Sequence, residues 1–471
     1  MILTANQRIE RQIESAFPHP PNTGQKEAIR QLGDFILNKS DRGVFVLKGY
    51  AGTGKTILVS AMVKALPETG WNTVLLAPTG RAAKVLGNYS GQKAQTIHRK
   101  IFNKSLQGDG SMIFRLAENR HKRSLFIVDE ASMIGNSNVD PIFGDLLENL
   151  FEYVFSGVDC KLVLVGDTAQ LPPVNCEESP ALDTEFLRRN FQLDIRLSEL
   201  QEVWRQASDS QILGGATLIR NAQSALRFAF PRLDYGKDVI RLSGDELEDS
   251  LHSSIRTYGE DEVLIITRSN KQADSYNRSV RNRIFGFEEA ICTGDRLMVV
   301  KNNYFWLDEK DEIGFIANGE EVEIVKLGRR EELYGFKFCD CELRFCDYPA
   351  HESVKLKLNT SLLYSDKGNI GREEQDRLFH AVLQDLPPQA RRHEKLNYIR
   401  SNPYFNALQV KFSYAITCHK AQGGQWSAVY LDPGFITPEQ KNKSYLRWLY
   451  TAFTRAKEKL FLLRLDPDFF D

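Results

Sequence analysis

The chain has 471 residues, and its 61 lysine and arginine side chains are balanced by 62 aspartate and glutamate side chains, for a net charge of −1. That length predicts about three compact units, and a composition of 42% hydrophobic and 26% charged residues argues against wholesale disorder. The charge balance excludes a global field that draws a protein onto polyanions, so any nucleic-acid contact must come from a local groove.

Nothing in the chain has the pattern of a membrane or secretion signal. The longest apolar runs, such as Leu125–Val128, are far shorter than the roughly 20 residues that span a bilayer. The N-terminal MILTANQRIERQIESAF lacks the apolar core and cleavage site of a signal peptide. Seven cysteines, an odd number, fit a reducing compartment better than a disulfide framework. We therefore expect a soluble cytoplasmic protein with no membrane partner.

The first part of the chain predicts an open parallel α/β sheet. Residues 25–38 place apolar side chains at helical spacing, and Val44–Gly49 is a short apolar strand that runs into a glycine-rich turn. Further strand-like runs begin at Thr73, Ser124 and Lys161, and each ends in a polar or glycine-containing turn. In such a sheet the functional loops follow the carboxyl ends of the strands.

Two insertions and a second α/β unit follow from the same patterns. Near residues 100–123, QGDG joins two short amphipathic arms as a hairpin turn does. Strand-like runs return at Glu262, Ala428 and Lys459 and predict the second unit. Between its pieces, roughly from Asp295 to Leu408, short alternating strands and a charged helical stretch predict a small β-barrel-like insertion.

Three cysteines cluster in CDCELRFC, as Cys339, Cys341 and Cys346. A zinc site would need a fourth ligand, for which His351 is available, but C-x-C-x4-C lies outside the common zinc spacings. The alternation FKFCDCELRF favours a strand with partly buried thiols.

The stretch GYAGTGKT, Gly49–Thr56, has the form G-x-x-x-x-G-K-T, with a strand before it and a helical pattern after it. The glycines Gly49, Gly52 and Gly54 let backbone amides turn toward phosphates, and the following helix adds its N-terminal amides and dipole. Lys55 suits the β and γ phosphates of a nucleotide, and Thr56 suits Mg²⁺. We interpret this stretch as a phosphate-binding P-loop.

The partners of a P-loop in hydrolysis lie further along the chain. After the strand Leu125–Val128, Asp129 suits Mg²⁺ held through water and Glu130 suits the base that orients or deprotonates the attacking water. Gln170 in GDTAQLPPV offers an amide able to sense the γ-phosphate, in a loop stiffened by two prolines. Arg205 and Arg455 are candidates for cancelling charge in the transition state, although an isolated arginine is usually a surface cation.

Taken in order, these segments resemble the motifs of the superfamily-one helicases, in the 5′-to-3′ branch that contains RecD-like and Dda-like DNA helicases. The resemblance covers nearly the whole chain and rests on PNTGQKEAI, GYAGTGKT (motif I), APTGRAAKVL (Ia), TIHR (Ib), VDEASM (II), GDTAQLPPV (III), VWRQ (IV), YAITCHKAQGGQ (V) and YTAFTRAKEKL (VI). It implies an α/β fold of two tandem RecA-like P-loop motor domains, with a β-hairpin (pin) insertion and an SH3-like β insertion.

The resemblance also implies where each domain lies. The first motor domain is expected at residues 1–100 and 123–205, with the pin at 101–122. The second is expected at 206–300 and 408–471, around an SH3-like insertion with a helical segment at 301–407.

The motif positions imply roles for individual residues. Arg205 and Arg455 correspond to two arginine fingers that the second motor domain places across a cleft from the P-loop. Gln25 corresponds to a glutamine that reads adenine. The implied ATP-binding residues are Gln25, Gly49, Ala51, Gly52, Thr53, Gly54, Lys55, Thr56, Gln422 and Gly424.

Other motif positions imply contact with the nucleic-acid backbone. The implied nucleic-acid-binding residues are Pro78, Thr79, Thr96, His98, Phe102, Phe114, Arg268, Thr417 and His419. Phe102 or Phe114 is a candidate wedge against the base pair at a fork, although aromatic side chains in a short hairpin often just pack against each other.

The expected function is that of an ATP- and Mg²⁺-dependent 5′-to-3′ DNA helicase that moves on single-stranded DNA and opens forked duplexes. One chain is enough to form the cleft, and a single-stranded-DNA-binding protein or repair and recombination factors are candidate partners. A DNA-dependent ATPase switch or remodelling subunit remains an alternative. An RNA helicase is another, because residues that grip phosphate and sugar do not by themselves exclude RNA.

Overall fold

A computed structural model describes residues 4–106, 112–135, 144–202, 210–225, 228–308, 311, 313–365, 367–368 and 370–470. Within these ranges the strands are β1 (Gly43–Gly49), β2 (Asn72–Ala77), β3 (Ala94–Thr96), β4 (Phe102–Leu106), β5 (Met112–Leu116), β6 (Lys122–Val128), β7 (Val158–Gly166), β8 (Asp194–Leu200), β9 (Val239–Leu242), β10 (Val263–Thr267), β11 (Arg296–Val299), β12 (Glu321–Leu333), β13 (Phe336–Phe345), β14 (Val354–Asn359), β15 (Leu408–Phe412), β16 (Ala415–Thr417), β17 (Trp426–Asp432) and β18 (Ala456–Leu463).

The α-helices in the same ranges are α1 (Ala5–Ser15), α2 (Thr23–Leu37), α3 (Lys55–Ala65), α4 (Gly80–Ser90), α5 (Ile97–Ile101), α6 (Leu146–Phe155), α7 (Thr184–Phe191), α8 (Gln211–Gln223), α9 (Leu247–Tyr258), α10 (Asn270–Ser279), α11 (Arg372–Leu383), α12 (Arg392–Ser401) and α13 (Lys443–Phe453). Within the described ranges none of these helices has the length and apolar character needed to cross a bilayer.

The first sheet has six parallel strands in the order β3-β2-β6-β7-β1-β8. Its central strands are nearly continuous apolar runs, because helices cover both faces and leave no side for water. In β1, every residue except the half-buried Lys48 is buried. The carboxyl ends of β1, β6 and β7 lead directly into the P-loop, Asp129–Glu130 and the GDTAQLPPV segment (Gly166–Val174). The three predicted catalytic segments therefore share one edge of this sheet.

The second sheet has five parallel strands in the order β16-β10-β17-β18-β9. Helices α8 and α13 pack together on one face, in a core that also takes in Ala169 and Leu171 from the first domain's GDTAQLPPV segment. The predicted fold class, two parallel α/β sheets with a hairpin and a β-barrel insertion, is confirmed. The hairpin pairs β4 with β5 from Phe102 opposite Leu116 to Leu106 opposite Met112.

The barrel closes through β11-β12-β13-β14-β15, with Leu297 of β11 paired to Phe412 of β15. The barrel therefore extends past the expected bounds of 301 and 407 at both ends, and the alternating pattern from about Asp295 already included its first strand. The reason is physical: barrel residues such as Leu297 and Phe412 share one buried core with Ile265 and Tyr430 of the second sheet. The barrel and this motor domain are packed as one body.

Two of the clustered thiols, Cys339 and Cys341, are buried on β13, in agreement with the predicted strand. The Cys341 thiol donates to the carbonyl of Leu356, and His351 instead pairs with Asp311, its Nε2 lying 3.1 Å from the carboxylate. The described residues thus give these side chains partners within the barrel.

Candidate nucleotide site and interdomain cleft

The P-loop turns sharply between the end of β1 and the start of α3. Gly52 and Gly54 have φ values of +77° and +87°, a region that glycine adopts without strain. A Cβ atom on Gly54 would lie 2.4 Å from the amide nitrogen of Gln25, so the neighbouring packing also requires glycine there. The Lys55 ammonium donates to the carbonyls of Gly49 at 2.7 Å and Tyr50 at 3.0 Å, which holds it at the mouth of the loop.

Gln25 braces the P-loop from behind. Its side chain is 1% exposed; its amide nitrogen donates to the Thr53 carbonyl at 3.2 Å, and its amide oxygen accepts from the Asn22 N–H at 3.0 Å. The Thr53 hydroxyl in turn donates to the carbonyl of Tyr50 at 2.8 Å. Both ends of the Gln25 amide are therefore used to shape the loop, and its predicted reading of adenine stays a prediction.

The acidic pair follows β6 at the same edge of the sheet. The Glu130 backbone has φ +52°, and its N–H donates to the Asp129 carboxylate at 2.8 Å. Burial and then the charge of Glu130 raise the pKa of Asp129 to about 6, while Lys55 opposes that rise. Together with the Thr56 hydroxyl, these side chains offer only oxygen donors, the type of ligand that Mg²⁺ prefers.

Gln170 lies in the GDTAQLPPV segment after β7 and is 7% exposed. Its amide oxygen and the Ser132 hydroxyl, buried beyond Glu130, have no hydrogen-bond partner among the described residues. Both side chains line one cavity of about 160 Å³, with Lys48 and Asp167 also in its wall. A buried amide oxygen without a partner is costly, which is consistent with the predicted role of Gln170 as a sensor of bound ligand.

Helix α13 of the second domain contacts the nucleotide edge of the first sheet directly. The Ala51 N–H in the P-loop donates to the Tyr450 hydroxyl at 2.9 Å, and that hydroxyl donates to the Asp167 carboxylate at 2.7 Å. The Leu171 N–H donates to the Thr451 hydroxyl at 2.8 Å. Three of the chain's motif segments therefore meet across one cleft.

Gln422 and Gly424 form hydrogen bonds with groups outside the P-loop. The Gln422 amide donates to the Leu171 carbonyl at 2.9 Å, so it clasps the GDTAQLPPV segment from the second domain. The Gly424 carbonyl accepts from the Arg455 guanidinium at 3.1 Å. Gln422 thus bears on the contact between domains and Gly424 on the placement of Arg455, and the predicted role of both in ATP binding stays a prediction.

Arg455 is 3% exposed and follows α13. Its Nε donates to the Thr451 carbonyl at 3.0 Å, and its two terminal nitrogens donate to the Gly424 carbonyl at 3.1 Å and the Thr454 hydroxyl at 3.0 Å. The structure thus places the guanidinium within its own domain, one turn beyond the residues that touch the P-loop. The other predicted finger, Arg205, lies outside the described residues.

Arg81, near the start of α4, joins three parts of the molecule. Its guanidinium lies 3.9 Å from the ring centre of Trp426 in the second sheet and 2.5 Å from the carboxylate of Glu321 in the barrel. Arg296 approaches the same carboxylate at 3.5 Å. Helix α4, which follows the motif Ia segment, is therefore fastened to both other units.

A groove of about 900 Å³ runs between the GDTAQLPPV segment and the second domain. The predicted nucleic-acid residues Arg268 and His419 both line it, beside the rings of Tyr445 and Trp448. Those two rings stack with centroids 6.1 Å apart. Burial lowers the pKa of His419, which favours a neutral imidazole in the groove. The structure brings these two residues together, and their contact with nucleic acid stays a prediction.

The other predicted backbone contacts sit at element ends. The Thr79 hydroxyl, after Pro78, accepts from the Ala82 N–H at the start of α4, and the Thr96 hydroxyl accepts from the Arg99 N–H at the start of α5. His98 is on α5, and Thr417 ends β16. Both cap hydroxyls are already engaged in stabilising helix starts, so their contact with nucleic acid stays a prediction.

The aromatic wedge candidates differ in their surroundings. Phe114 lies 4.5 Å from the ring of Tyr304, which in turn lies 5.0 Å from the ring of Phe315. Phe102 begins β4 and lies 6.1 Å from the His98 ring. Phe114 thus packs against the segment between β11 and β12, and the wedge role of Phe102 or Phe114 stays a prediction.

Two parts of the chain match known protein families, and much of it is similar to a known helicase. Residues 20–230 match a family described as an AAA domain, and residues 412–463 match the UvrD-like helicase C-terminal domain. The ATP-dependent DNA helicase dda of Enterobacteria phage T4 is 28% identical over 319 residues, 64% of this chain and 67% of that protein. Together, these matches fit the superfamily-one helicases, in their Dda-like and RecD-like branch.

Two further similarities cover different shares of this chain. The ATP-dependent RecD2 DNA helicase of Deinococcus radiodurans is 32% identical over 231 residues, 46% of this chain but only 28% of that protein. A crystal structure of Pif1 helicase from Bacteroides in complex with ADP-AlF3 and ssDNA matches 96% of this chain and 95% of that chain, with 15% identity and a TM-score of 0.48.

Sequence reasoning missed several residues that the helicase places in the cleft. Tyr450 and Thr451 stand inside YTAFTRAKEKL, from which only Arg455 was selected, and Asp167 stands inside GDTAQLPPV. Their position in these motifs was a usable signal, because each lies within five positions of a selected residue. The sequence does not indicate which motifs contact each other, because residues such as Ala51 and Tyr450 are 399 positions apart.

Glu320 of this helicase lies between α4 and the barrel, is 3% exposed and has one carboxyl oxygen with no partner among the described residues. Burial, and to a lesser degree Asp347, raise its pKa to about 8, against the opposing charge of Arg99. Because the folded-state pKa exceeds that of the unfolded chain, ionisation opposes folding. The contribution of the protonated Glu320 side chain to the stability of the fold is full below pH 4.5 and falls as the pH rises to about 8.

Glutamine cannot ionise, so we expect Glu320→Gln to stabilise the protein more at pH 8 than at pH 5. The difference between these two effects on the free energy of unfolding should be on the order of a few kcal/mol. Thermal melts of both proteins across this pH range measure the difference. Glu323→Gln, at a half-buried position on β12 paired with Arg344, is the control and should not flatten the pH dependence. A parallel pH dependence in Glu320→Gln and the native protein would contradict the assignment.

Proposed function

We propose that this chain couples ATP hydrolysis to 5′-to-3′ movement on single-stranded DNA and thereby separates duplex DNA. The observation that carries the proposal is the contact of α13 with the P-loop and the GDTAQLPPV segment through Tyr450 and Thr451. A nucleotide site whose edge is touched by a second motor domain can convert binding and hydrolysis into relative domain movement. The names of the dda and RecD2 relatives support DNA as the substrate class.

The chain's own side chains suit the steps of hydrolysis. Lys55 binds the β and γ phosphates, and Glu130 orients or deprotonates the attacking water. Arg455 neutralises charge in the transition state once closure carries its guanidinium from its present carbonyl partners toward the γ-phosphate. Mg²⁺, when bound, would neutralise phosphate charge, and the Thr56 hydroxyl and the Asp129 carboxylate are the residues that would hold it, the latter through water.

The groove lined by Arg268 and His419 suits a strand that is gripped without being read. A cation and an imidazole can bind phosphates without reading base identity, while the rings of Tyr445 and Trp448 are 4% and 6% exposed and support the groove wall. Because Leu171–Val174 of the GDTAQLPPV segment also line this groove, the segment connects the nucleotide edge, where Asp167 and Gln170 lie, with the groove.

The test uses forked duplexes that carry either a 5′ or a 3′ single-stranded tail, with ATP and Mg²⁺. Strand displacement from the 5′-tailed substrate alone supports the proposal. Displacement only from the 3′ tail overturns the polarity, and none from either tail, with ATPase activity intact, favours a switch or remodelling subunit. Stimulation of ATP hydrolysis by RNA but not DNA homopolymers would favour an RNA helicase.

We further propose that one chain is active alone, since a single copy supplies both walls of the cleft. Unwinding rates per chain that stay constant over a range of protein concentrations would support a monomer. A rate per chain that rises with concentration would contradict it. Partnership with a single-stranded-DNA-binding protein or with repair and recombination factors stays a prediction.

A further inference from the structure

The Tyr450 hydroxyl is the point at which the second motor domain meets both nucleotide segments of the first. We infer that Tyr450 is a positioning residue that makes closure of the domains respond to phosphate binding in the P-loop. The inference rests on the proposed function. It concerns how the site of hydrolysis is coupled to movement, not whether ATP is hydrolysed.

The hydroxyl is fully committed on both sides. Tyr450 is 1% exposed, accepts from the Ala51 N–H at 2.9 Å and donates to the Asp167 carboxylate at 2.7 Å. The other oxygen of Asp167 accepts from the Ala169 N–H at 2.9 Å. Burial, and then the charge of Asp167, hold the pKa of Tyr450 well above its usual value, so the hydroxyl stays a donor throughout the physiological pH range.

The Ala51 N–H has two possible acceptors. Backbone amides of a P-loop turn inward toward the phosphates of a bound nucleotide, and a single N–H makes one strong, well-aligned hydrogen bond at a time. Donation to Tyr450 and donation to a phosphate oxygen are therefore alternatives. A phosphate that takes this N–H releases Tyr450 from the P-loop and leaves it bound only to Asp167.

The release reaches the rest of the cleft through the same turn of helix. Thr451, the next residue, accepts from the Leu171 N–H through its hydroxyl and from the Arg455 Nε through its carbonyl. Moving Tyr450 thus shifts both the link to the GDTAQLPPV segment and the carbonyl that holds the arginine. A contact with two discrete arrangements, each favoured by one ligand state, is the physical requirement for coupling.

Tyr450→Phe tests the inference because it removes only the hydroxyl. We expect the kcat of ATP hydrolysis stimulated by single-stranded DNA to fall about tenfold, the effect of losing one hydrogen bond to a charged group. The KM for ATP should not rise, because the Ala51 N–H becomes available to phosphate. A fluorescence-energy-transfer pair, one dye on each motor domain, should show a smaller distance change on addition of a non-hydrolysable ATP analogue.

Tyr430→Phe is the matched control. Tyr430 is also fully buried in the second domain, and its hydroxyl also makes two hydrogen bonds, to Ser250 at 2.8 Å and Ser254 at 2.7 Å, but on the barrel side of the sheet. It should lower the melting temperature and leave kcat, KM and the distance change as in the native protein. Asp167→Asn keeps an acceptor beside Tyr450 and should shift the same readouts less, which tests the contact should Tyr450→Phe fold poorly.

The outcomes separate this inference from the proposed function. Native kcat and a native distance change in Tyr450→Phe, with a loss of melting temperature equal to that of Tyr430→Phe, would overturn the positioning role. A rise in KM with unchanged kcat would overturn it as well, because the hydroxyl would then serve nucleotide binding alone. If the native protein itself shows no ATPase activity stimulated by nucleic acid, the proposed function fails instead.

Discussion

Replacing Glu130 with glutamine is expected to lower the kcat of DNA-stimulated ATP hydrolysis about a thousandfold while ATP still binds. An amide has almost the shape of a carboxylate but cannot accept the proton of an attacking water. Glu130 leaves the end of β6 with a backbone φ of +52°, beside the half-buried Asp129, so its placement comes from the backbone and survives the substitution. The loss therefore falls on the chemical step.

Single-turnover hydrolysis and binding of a fluorescent ATP analogue measure the two effects separately. Glu148→Gln makes the same chemical change at an exposed position in the first turn of α6, and it should leave both quantities unchanged. If Glu130→Gln hydrolysed ATP within a few fold of the native rate, the general base would have to be another residue. Asp129 would then be the first candidate.

Replacing Lys55 with alanine is expected to weaken both binding and hydrolysis, with kcat/KM for ATP reduced by about a thousandfold or more. The ammonium lies at the mouth of the P-loop, and its present partners, the carbonyls of Gly49 and Tyr50, show that it reaches across the loop. Those carbonyls border a half-exposed loop and can be solvated by water. The fold should therefore persist.

Circular dichroism and thermal melts check the fold of Lys55→Ala, and titration with the fluorescent ATP analogue checks binding. Lys64→Ala removes a lysine near the end of the same helix α3, where the side chain is exposed, and should behave as the native protein. Native hydrolysis by Lys55→Ala would show that the phosphate site had been assigned to the wrong stretch.

The sequence predicted best those features whose cause is local. A buried strand that ends in GYAGTGKT and continues as a helix determines its own geometry, because the glycines at 52 and 54 permit the turn and the strand is buried on both faces. The same reasoning located Asp129 and Glu130 at the end of β6. Both parallel sheets and the hairpin follow from such periodic patterns as well.

Features that depend on contact between distant segments were not predictable. The barrel is closed by Leu297 opposite Phe412, and although the alternating pattern from about Asp295 included the first of these strands, nothing in the pattern of Leu408–Phe412 distinguishes it from a motor-domain strand. Likewise, the motif implied a role in ATP binding for Gln422, which stays a prediction, but gave no indication of its hydrogen-bond partner, the Leu171 carbonyl, a group that every residue possesses. The glutamine side chain indicated a hydrogen-bonding role, but its partner is determined by how the two domains pack.

Arg81 shows what such packing means for a machine made of three parts. Its guanidinium stacks on Trp426 of one part and pairs with Glu321 of another, while its backbone belongs to the helix that follows the motif Ia threonine of the third. Through this one side chain, all three units are held in direct contact. A rotation of one domain therefore either moves the other two units with it or breaks a contact of Arg81 with Trp426 or Glu321. The barrel is thus coupled mechanically to the motor domains.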